Sequence, residues 1–87
     1  MKDDQGLYYH PFPSNRRVRM YVRRVGNSIC FRLWNQDDPA LWEDHGWLPH
    51  EAIRQAMAMY SGKGMDPRRA YDLSAAMALL DEDAGPA

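Results

Sequence analysis

The sequence predicts an α+β fold in which a two-stranded antiparallel β-hairpin packs against two α-helices, with a short connecting helix. Three observations predict it: apolar and cationic residues alternate around Gly26-Asn27, apolar residues recur at helical spacing after residue 49, and prolines follow acids at two helix starts. The 87 residues suffice for one small domain. We expect a flexible N-terminal arm (residues 1–15), a single ββααα domain (16–81) and a disordered acidic tail (82–87).

The hairpin prediction rests on residues 16–34, RRVRMYVRRVGNSICFRLW, where Gly26-Asn27 supplies a two-residue turn with positive φ. With Val25 paired to Ser28, the apolar side chains share one face of the ribbon: Met20, Val22, Ile29, Phe31 and Leu33. The opposite face carries cationic and aromatic side chains together with Cys30: Arg19, Tyr21, Arg23, Arg32 and Trp34. A shift of one residue would mix the two faces, so the pattern favours this register.

Three helices are predicted after the hairpin. Asp38-Pro39 opens a short helix, with Asp38 as N-cap, and Gly46 ends it. A second helix begins near Pro49 and carries an apolar stripe: Ile53, Ala56, Met57 and Tyr60. A third opens at Asp66-Pro67, with a stripe of Ala70, Leu73, Met77 and Leu80. The second and third helices should cover the apolar face of the hairpin.

The N-terminal arm contains prolines at positions 11 and 13, which favour extended geometry. Its aromatic residues, Tyr8, Tyr9 and Phe12, are too apolar for a free tail, so part of the arm should pack onto the domain. A two-stranded ribbon also leaves two unpaired edges. The arm or a second protomer could extend the sheet, and a homodimer is therefore one expectation.

Charge is segregated along the chain although the formal net charge is only −1. Between residues 5 and 36 there is no acid, and six arginines lie there: Arg16, Arg17, Arg19, Arg23, Arg24 and Arg32. Residues 37–51 contain five acids and no Lys or Arg. Either the two segments neutralise each other in the fold, or the arginines remain free for a partner.

The composition excludes several classes of protein. No uncharged run approaches the roughly 20 apolar residues of a membrane span, and the first residues lack the apolar stretch of a secretory signal. The single Cys30 excludes an internal disulfide. We therefore expect a cytoplasmic protein that does not act at a membrane.

Motifs for catalysis are weak. Cys30 would lie beside Arg23, but nothing in the sequence positions a base among His10, His45 and His50. The run EDHGWLPHE is rich in potential metal ligands but lacks the second histidine of H-E-x-x-H, and SGKG lacks the context of a phosphate loop. We expect no catalytic residues, no metal, no cofactor and no small-molecule substrate.

The cationic and aromatic face is the one remaining candidate site. Arg, Tyr and Trp are enriched where proteins bind proteins, so we predict a non-catalytic module acting through protein–protein contact or self-association. Nucleic-acid binding, to DNA or RNA, is the alternative, because guanidinium groups bind phosphates and aromatic rings stack on bases. An overall pI of about 6.2 disfavours it. A third interpretation is a structural ladder of arginine and aromatic side chains.

The stretch RRVGNSICFRL also resembles the turn of swapped-hairpin transition-state regulators of the AbrB and MazE type. The resemblance covers residues 25–33, about a tenth of the chain. It implies an obligatory dimer with Arg19, Arg23 and Arg24 as candidates for DNA contact. The sequence departs from that pattern at Trp34-Asn35, where the family commonly has a proline that opens a helix, so we assign no family.

Overall fold

The computed structural model describes residues 1–60, 62 and 70–84. Within them the chain forms one antiparallel sheet of five strands and three helices. The strands are β1 (Lys2–Asp3), β2 (Gly6–Tyr9), β3 (Val18–Val25), β4 (Ser28–Asn35) and β5 (Leu48–Pro49). The helices are α1 (Ala40–His45), α2 (His50–Ala58) and α3 (Leu73–Ala84). Each strand pairs with its neighbour in the sequence, so the sheet order is β1-β2-β3-β4-β5.

The β3–β4 hairpin confirms the predicted register from Val25 opposite Ser28 to Arg19 opposite Trp34. The turn differs in one detail. Gly26 has a φ of 59°, whereas Asn27 has a negative φ. Positive φ at the first central residue alone is the pattern of a type II′ turn, which needs glycine only at that position and matches the right-handed twist of the strands.

The prediction of a two-stranded hairpin with a flexible arm is wrong, because residues 2–9 of the arm form β1 and β2. In β2, Leu7 lies opposite Val22 and Tyr9 opposite Met20, so both side chains reach the apolar face of the sheet. Pairing of β2 with β3 also gives hydrogen-bond partners to backbone N–H and C=O groups that an unpaired β3 edge would expose. The element order therefore begins with four strands. Of the two expected ways to extend the sheet, by the arm or by a second protomer, the arm supplies one.

The fifth strand, β5, was not predicted, because two residues carry no readable periodicity. Leu48 pairs with Phe31, and Pro49 pairs with Cys30, so β5 covers the β4 edge. Both edges of the hairpin are thus at least partly paired within one chain. This removes the unpaired hairpin edges as an argument for a homodimer.

Helices α2 and α3 pack on the apolar face, as predicted. We call this side the inner face; its fully buried cluster joins Met20, Val22 and Phe31 of the sheet with Ile53, Ala70 and Ala76. The predicted stripes are correct only in part. Ala56 is exposed in α2, and Met77 is 45% exposed in α3. Ala76, one residue earlier in α3, takes the buried position instead.

Helix boundaries also differ from the predictions. Helix α1 begins at Ala40, and Asp38 makes no side-chain capping bond, whereas Gly46 ends the helix with a φ of 61°. Helix α3 begins at Leu73, because the carboxylate of Asp72 accepts the Ala75 N–H at 3.1 Å and so acts as N-cap. The predicted start at residues 66–67 lies outside the described residues. The helix continues to Ala84, which includes the beginning of the predicted tail.

Tyr9 ties the sheet to the start of α3. Its hydroxyl donates to the carbonyl oxygen of Ala70 at 2.6 Å and accepts the N–H of Asp72 at 2.9 Å. Burial raises the pKa of Tyr9 to about 12, so the hydroxyl stays protonated and can donate at neutral pH. None of the described helices has the length and apolar character needed to cross a membrane.

We predict that Tyr9→Phe lowers the free energy of unfolding by about 1–3 kcal/mol, because two backbone groups lose their partner. Urea denaturation at neutral pH measures the change. Tyr8→Phe is the matched control, since the Tyr8 hydroxyl makes no hydrogen bond in the described part of the chain. Equal stabilities of the two variants would contradict the role of Tyr9.

Candidate functional site

The face of the sheet opposite the inner face carries the predicted site residues. We call it the outer face. Its cross-strand pairs are Arg19 with Trp34, Tyr21 with Arg32, and Arg23 with Cys30. The alternation of strand side chains therefore places all five predicted residues on one side of the sheet. Strand β2 adds Tyr8, which lies opposite Tyr21.

Helix α1 covers the centre of the outer face through Trp42. The Trp42 ring lies edge-on to Tyr21 at 5.1 Å and to Trp34 at 6.5 Å, measured between ring centroids. It also contacts Trp47 at 6.1 Å. Tyr21 is consequently only 2% exposed. As a predicted binding residue Tyr21 would need to be accessible, but α1 packs on β4 and its Trp42 side chain covers Tyr21 on the neighbouring strand β3.

Arg32 holds Trp42 in place. Its guanidinium carbon lies 3.9 Å from the centre of the Trp42 ring, and its Nε and Nη2 donate to the Trp42 carbonyl oxygen at 2.8 and 2.5 Å. The Arg32 side chain is 17% exposed, and its nearest carboxylate, Glu43, is 3.8 Å away. These contacts anchor α1 to the sheet and leave little of Arg32 for a partner.

Arg23 differs from Arg32 because it remains exposed. Its guanidinium carbon lies 4.2 Å from the centre of the Trp47 ring, near the turn end of the hairpin. No acid forms an ion pair with Arg23 in the described part of the chain. A cation over an aromatic ring at the surface contributes about 0.5–1 kcal/mol, so this contact constrains Arg23 only weakly.

Arg19, Tyr21 and Asp3 form a compact polar cluster at the other end of the face. Oδ2 of Asp3 accepts from Nη1 of Arg19 at 3.0 Å and from the Tyr21 hydroxyl at 2.5 Å. Oδ1 of Asp3 accepts the backbone N–H of Gln5 at 2.8 Å. The Arg19 guanidinium also lies over the Tyr8 ring at 4.8 Å. The cluster fastens β1 to β3 through side chains.

Within the cluster, the pKa of Asp3 and the pKa of Tyr21 shift in opposite directions. Burial acts to raise the pKa of Asp3, but the hydrogen bonds from Tyr21 and Gln5 and the charge of Arg19 outweigh it, so the pKa is lowered. Burial, together with the hydrogen bond donated to Asp3, raises the pKa of Tyr21. The carboxylate is therefore charged and the phenol neutral at neutral pH.

The acidic segment 37–51 covers the outer face with its tryptophans and contributes few ion pairs. Asp37 pairs with Arg17 at 3.2 Å, where both side chains are largely exposed. Glu43 approaches Arg32 only at 3.8 Å. The carboxylate that holds Arg19 comes from the arm. Internal neutralisation by residues 37–51 is thus partial in the described part of the chain.

A cleft of about 320 Å³ opens beside the polar cluster. We call it the N-terminal cleft. Its lining comprises Asp3, Asp4, Gln5, Arg19, Tyr21, Trp34 and Trp42. Trp34 and Trp42 are half-buried, whereas Asp4 and Gln5 are exposed at the β1–β2 turn. Three of the five predicted residues thus line a concave site, while Arg32 and Arg23 lie elsewhere on the outer face.

The sequence predictions missed the contribution of residues 3–5. Asp3 and Gly6 are three residues apart in the sequence. Asp is favoured at the first position of a type I turn and Gly at the fourth. The Asp3 side chain bonds to the backbone two residues on, as aspartates in turns commonly do. This Asp-x-x-Gly pattern before the alternating stretch GLYY was the available signal for a β1–β2 hairpin. No local pattern in the sequence placed Trp42 on the outer face.

Cys30, His10 and His50, which were considered for catalysis on the sequence alone, each make different contacts in the fold. Cys30 is 7% exposed, because β5 pairs beside it. His10 bonds through Nδ1 to the carbonyl oxygen of Val18 at 3.2 Å, and the His50 ring lies 6.3 Å from that of Phe31. No hydrogen bond joins Cys30 to a histidine in the described part of the chain. Among those residues, no three His, Cys, Asp or Glu side chains converge as metal ligands would.

Comparison of the chain with family models, curated proteins and solved structures finds no match.

We predict that protonation of Asp3 weakens the fold at low pH. A carboxyl group whose pKa is lowered by folding contributes stability that is complete above about pH 5 and is lost as pH falls through the folded-state pKa. Urea denaturation between neutral and acidic pH should therefore show a smaller loss of stability for Asp3→Asn than for the wild type. Asp4→Asn is the control, since Asp4 has no bonding partner among the described residues. An Asp3→Asn variant with unchanged pH dependence would refute the prediction.

Proposed function

We propose that this protein is a non-catalytic binding module that contacts another protein through the N-terminal cleft. The observation that carries the proposal is the convergence of Arg19, Tyr21, Trp34 and Trp42 in one concave site. Arg, Tyr and Trp dominate the energetics of protein interfaces, especially where they line pockets. The cleft also combines a rigid aromatic wall with exposed polar groups at the β1–β2 turn.

The construction of the cleft supports binding. Tyr21 and Arg19 are held by Asp3, and Trp42 is held by Arg32, so the wall is ordered before a partner arrives. A preformed surface loses little conformational entropy on association, which favours affinity. By contrast, β2 and β5 pair with the hairpin edges. The cleft therefore supports contact with a second protein more directly than strand pairing between two copies.

A photo-crosslinking experiment tests the proposal. We predict that benzoylphenylalanine in place of Gln5 yields a discrete crosslinked species in lysate, and that Trp34→Ala in the same protein abolishes it. Gln55 is the matched control position, because it is an exposed glutamine on α2, away from the cleft. Electrophoresis and mass spectrometry identify the products and separate a homodimer from a second protein. Equal crosslinking from both positions, or crosslinking that survives Trp34→Ala in a folded variant, would contradict the proposal.

Nucleic-acid binding is a second candidate, favoured by a different observation. Arg23 and Arg24 are adjacent, exposed and without an ion pair in the described part of the chain. They flank the tip of the β3–β4 hairpin on opposite faces, and β-ribbons can enter DNA grooves. Arg19 and Arg32 are engaged inside the protein, so the candidate surface narrows from the whole outer face to the hairpin tip.

For this second candidate we predict salt-sensitive binding of labelled random-sequence DNA or RNA, measured by fluorescence anisotropy. The double variant Arg23→Ala, Arg24→Ala should weaken binding and reduce the slope of log affinity against log salt by about one unit per arginine. Arg54→Ala removes an exposed charge from α2 and serves as the control. Absence of binding at low salt would eliminate nucleic acid as the ligand.

A further inference from the structure

The arginines of the outer face follow a repeated arrangement in which a guanidinium group lies over an aromatic ring. Arg19 lies over Tyr8 at 4.8 Å, Arg23 over Trp47 at 4.2 Å and Arg32 over Trp42 at 3.9 Å. Among the tryptophans of the described residues, Trp34 alone carries no cation over its ring. It forms a T-shaped contact with Trp42, with an angle of 81° between the ring planes, and it lines the N-terminal cleft.

The charges that line the cleft favour a cation as its occupant. Two acidic residues, Asp3 and Asp4, and one basic residue, Arg19, line the cleft. Asp3 is already paired with Arg19 at 3.0 Å, so these two charges largely cancel. Asp4 is exposed and has no partner in the described part of the chain. A positive group in the cleft would meet an uncompensated carboxylate, whereas a phosphate or carboxylate would be repelled by it.

The size and chemistry of the cleft are those of a subsite for one side chain. Its volume of about 320 Å³ lies at the lower end of the range of roughly 300–1,000 Å³ for small-molecule pockets. A guanidinium group can stack on an indole face and at the same time donate two parallel hydrogen bonds to a carboxylate. Lysine provides a point charge with neither the planar stacking nor the bidentate geometry, so arginine suits this combination better.

We infer that the N-terminal cleft receives an arginine side chain of a partner protein, with its guanidinium group over Trp34 and paired with Asp4. The inference rests on the proposed function, since it names the chemistry that the partner presents to the cleft. The guanidinium–ring contact would repeat in the complex a contact that the protein already contains three times.

Selection from a display library of random linear dodecapeptides tests this inference. Peptides selected on the wild-type protein should be enriched in arginine over lysine and over acidic residues. For a selected peptide, replacement of its arginine by alanine should weaken binding to the wild-type protein, as measured by fluorescence anisotropy. Asp4→Asn should weaken binding about three- to fivefold, and Trp34→Ala about three- to tenfold.

Controls separate the cleft from general electrostatics and from unfolding. Asp44→Asn removes an exposed acid that does not line the cleft and should leave affinity unchanged. Asp4 is exposed at a turn, so Asp4→Asn retains the fold and keeps the test valid even where Trp34→Ala does not fold. The Asp4→Lys variant extends the series, because reversal of the charge should disfavour arginine-containing peptides further.

Three outcomes are distinguishable. Arginine-rich peptides that depend on Asp4 and Trp34 support the inference. Peptides that depend on Trp34 but lack arginine, or that bind Asp4→Asn as well as wild type, overturn the inference and leave the proposed function in place. If no selected peptide loses affinity when cleft residues are substituted, both the inference and the proposed function are overturned.

Discussion

The alternation of side chains along the β3–β4 hairpin is the constraint on which the rest of the structure depends. Because neighbouring residues point to opposite faces, one ribbon presents Met20, Val22 and Phe31 to the helices and Arg19, Tyr21 and Trp34 to the other side. The inner face drives burial of α2 and α3. On the outer face, Trp42 of α1 covers Tyr21, since large contiguous apolar surface is rarely left open to water.

Arginine–aromatic contacts supply that cover without a second apolar core. Trp42 contacts both Tyr21 and Arg32, which are cross-strand neighbours, and Arg32 also donates to the Trp42 backbone. At the other end, Asp3 binds both Arg19 and Tyr21 and so brings β1 onto the sheet. The same residue types that characterise protein interfaces therefore stabilise this fold internally. In the described part of the chain, the N-terminal cleft and the exposed Arg23 and Arg24 at the hairpin tip are the groups of this hairpin that remain for a partner.

This division explains why the outer face has two functional interpretations rather than one. The cleft is lined by Trp34, which has no cation over its ring, and by Asp4, which has no ion pair in the described part of the chain, and these two residues are the basis of the proposed arginine subsite. The hairpin tip presents Arg23 and Arg24, which suit an anionic partner. The two surfaces lie at opposite ends of the hairpin and differ in charge, so a single set of neutral and charge-reversing substitutions discriminates between them.

Local sequence determined the hairpin register and the segregation of its two faces, because a period of two and a glycine turn are encoded by neighbouring residues. It also determined that helices cover the inner face. Tertiary structure alone decided that the arm adds β1 and β2, that Trp42 buries Tyr21, and that Asp3 neutralises Arg19. Those outcomes depend on contacts between distant segments, where residue type permits several partners and only packing selects one. For the same reason the candidate site differs from the cationic face that the sequence predicts: it is a cleft that residues 3–5 help to line.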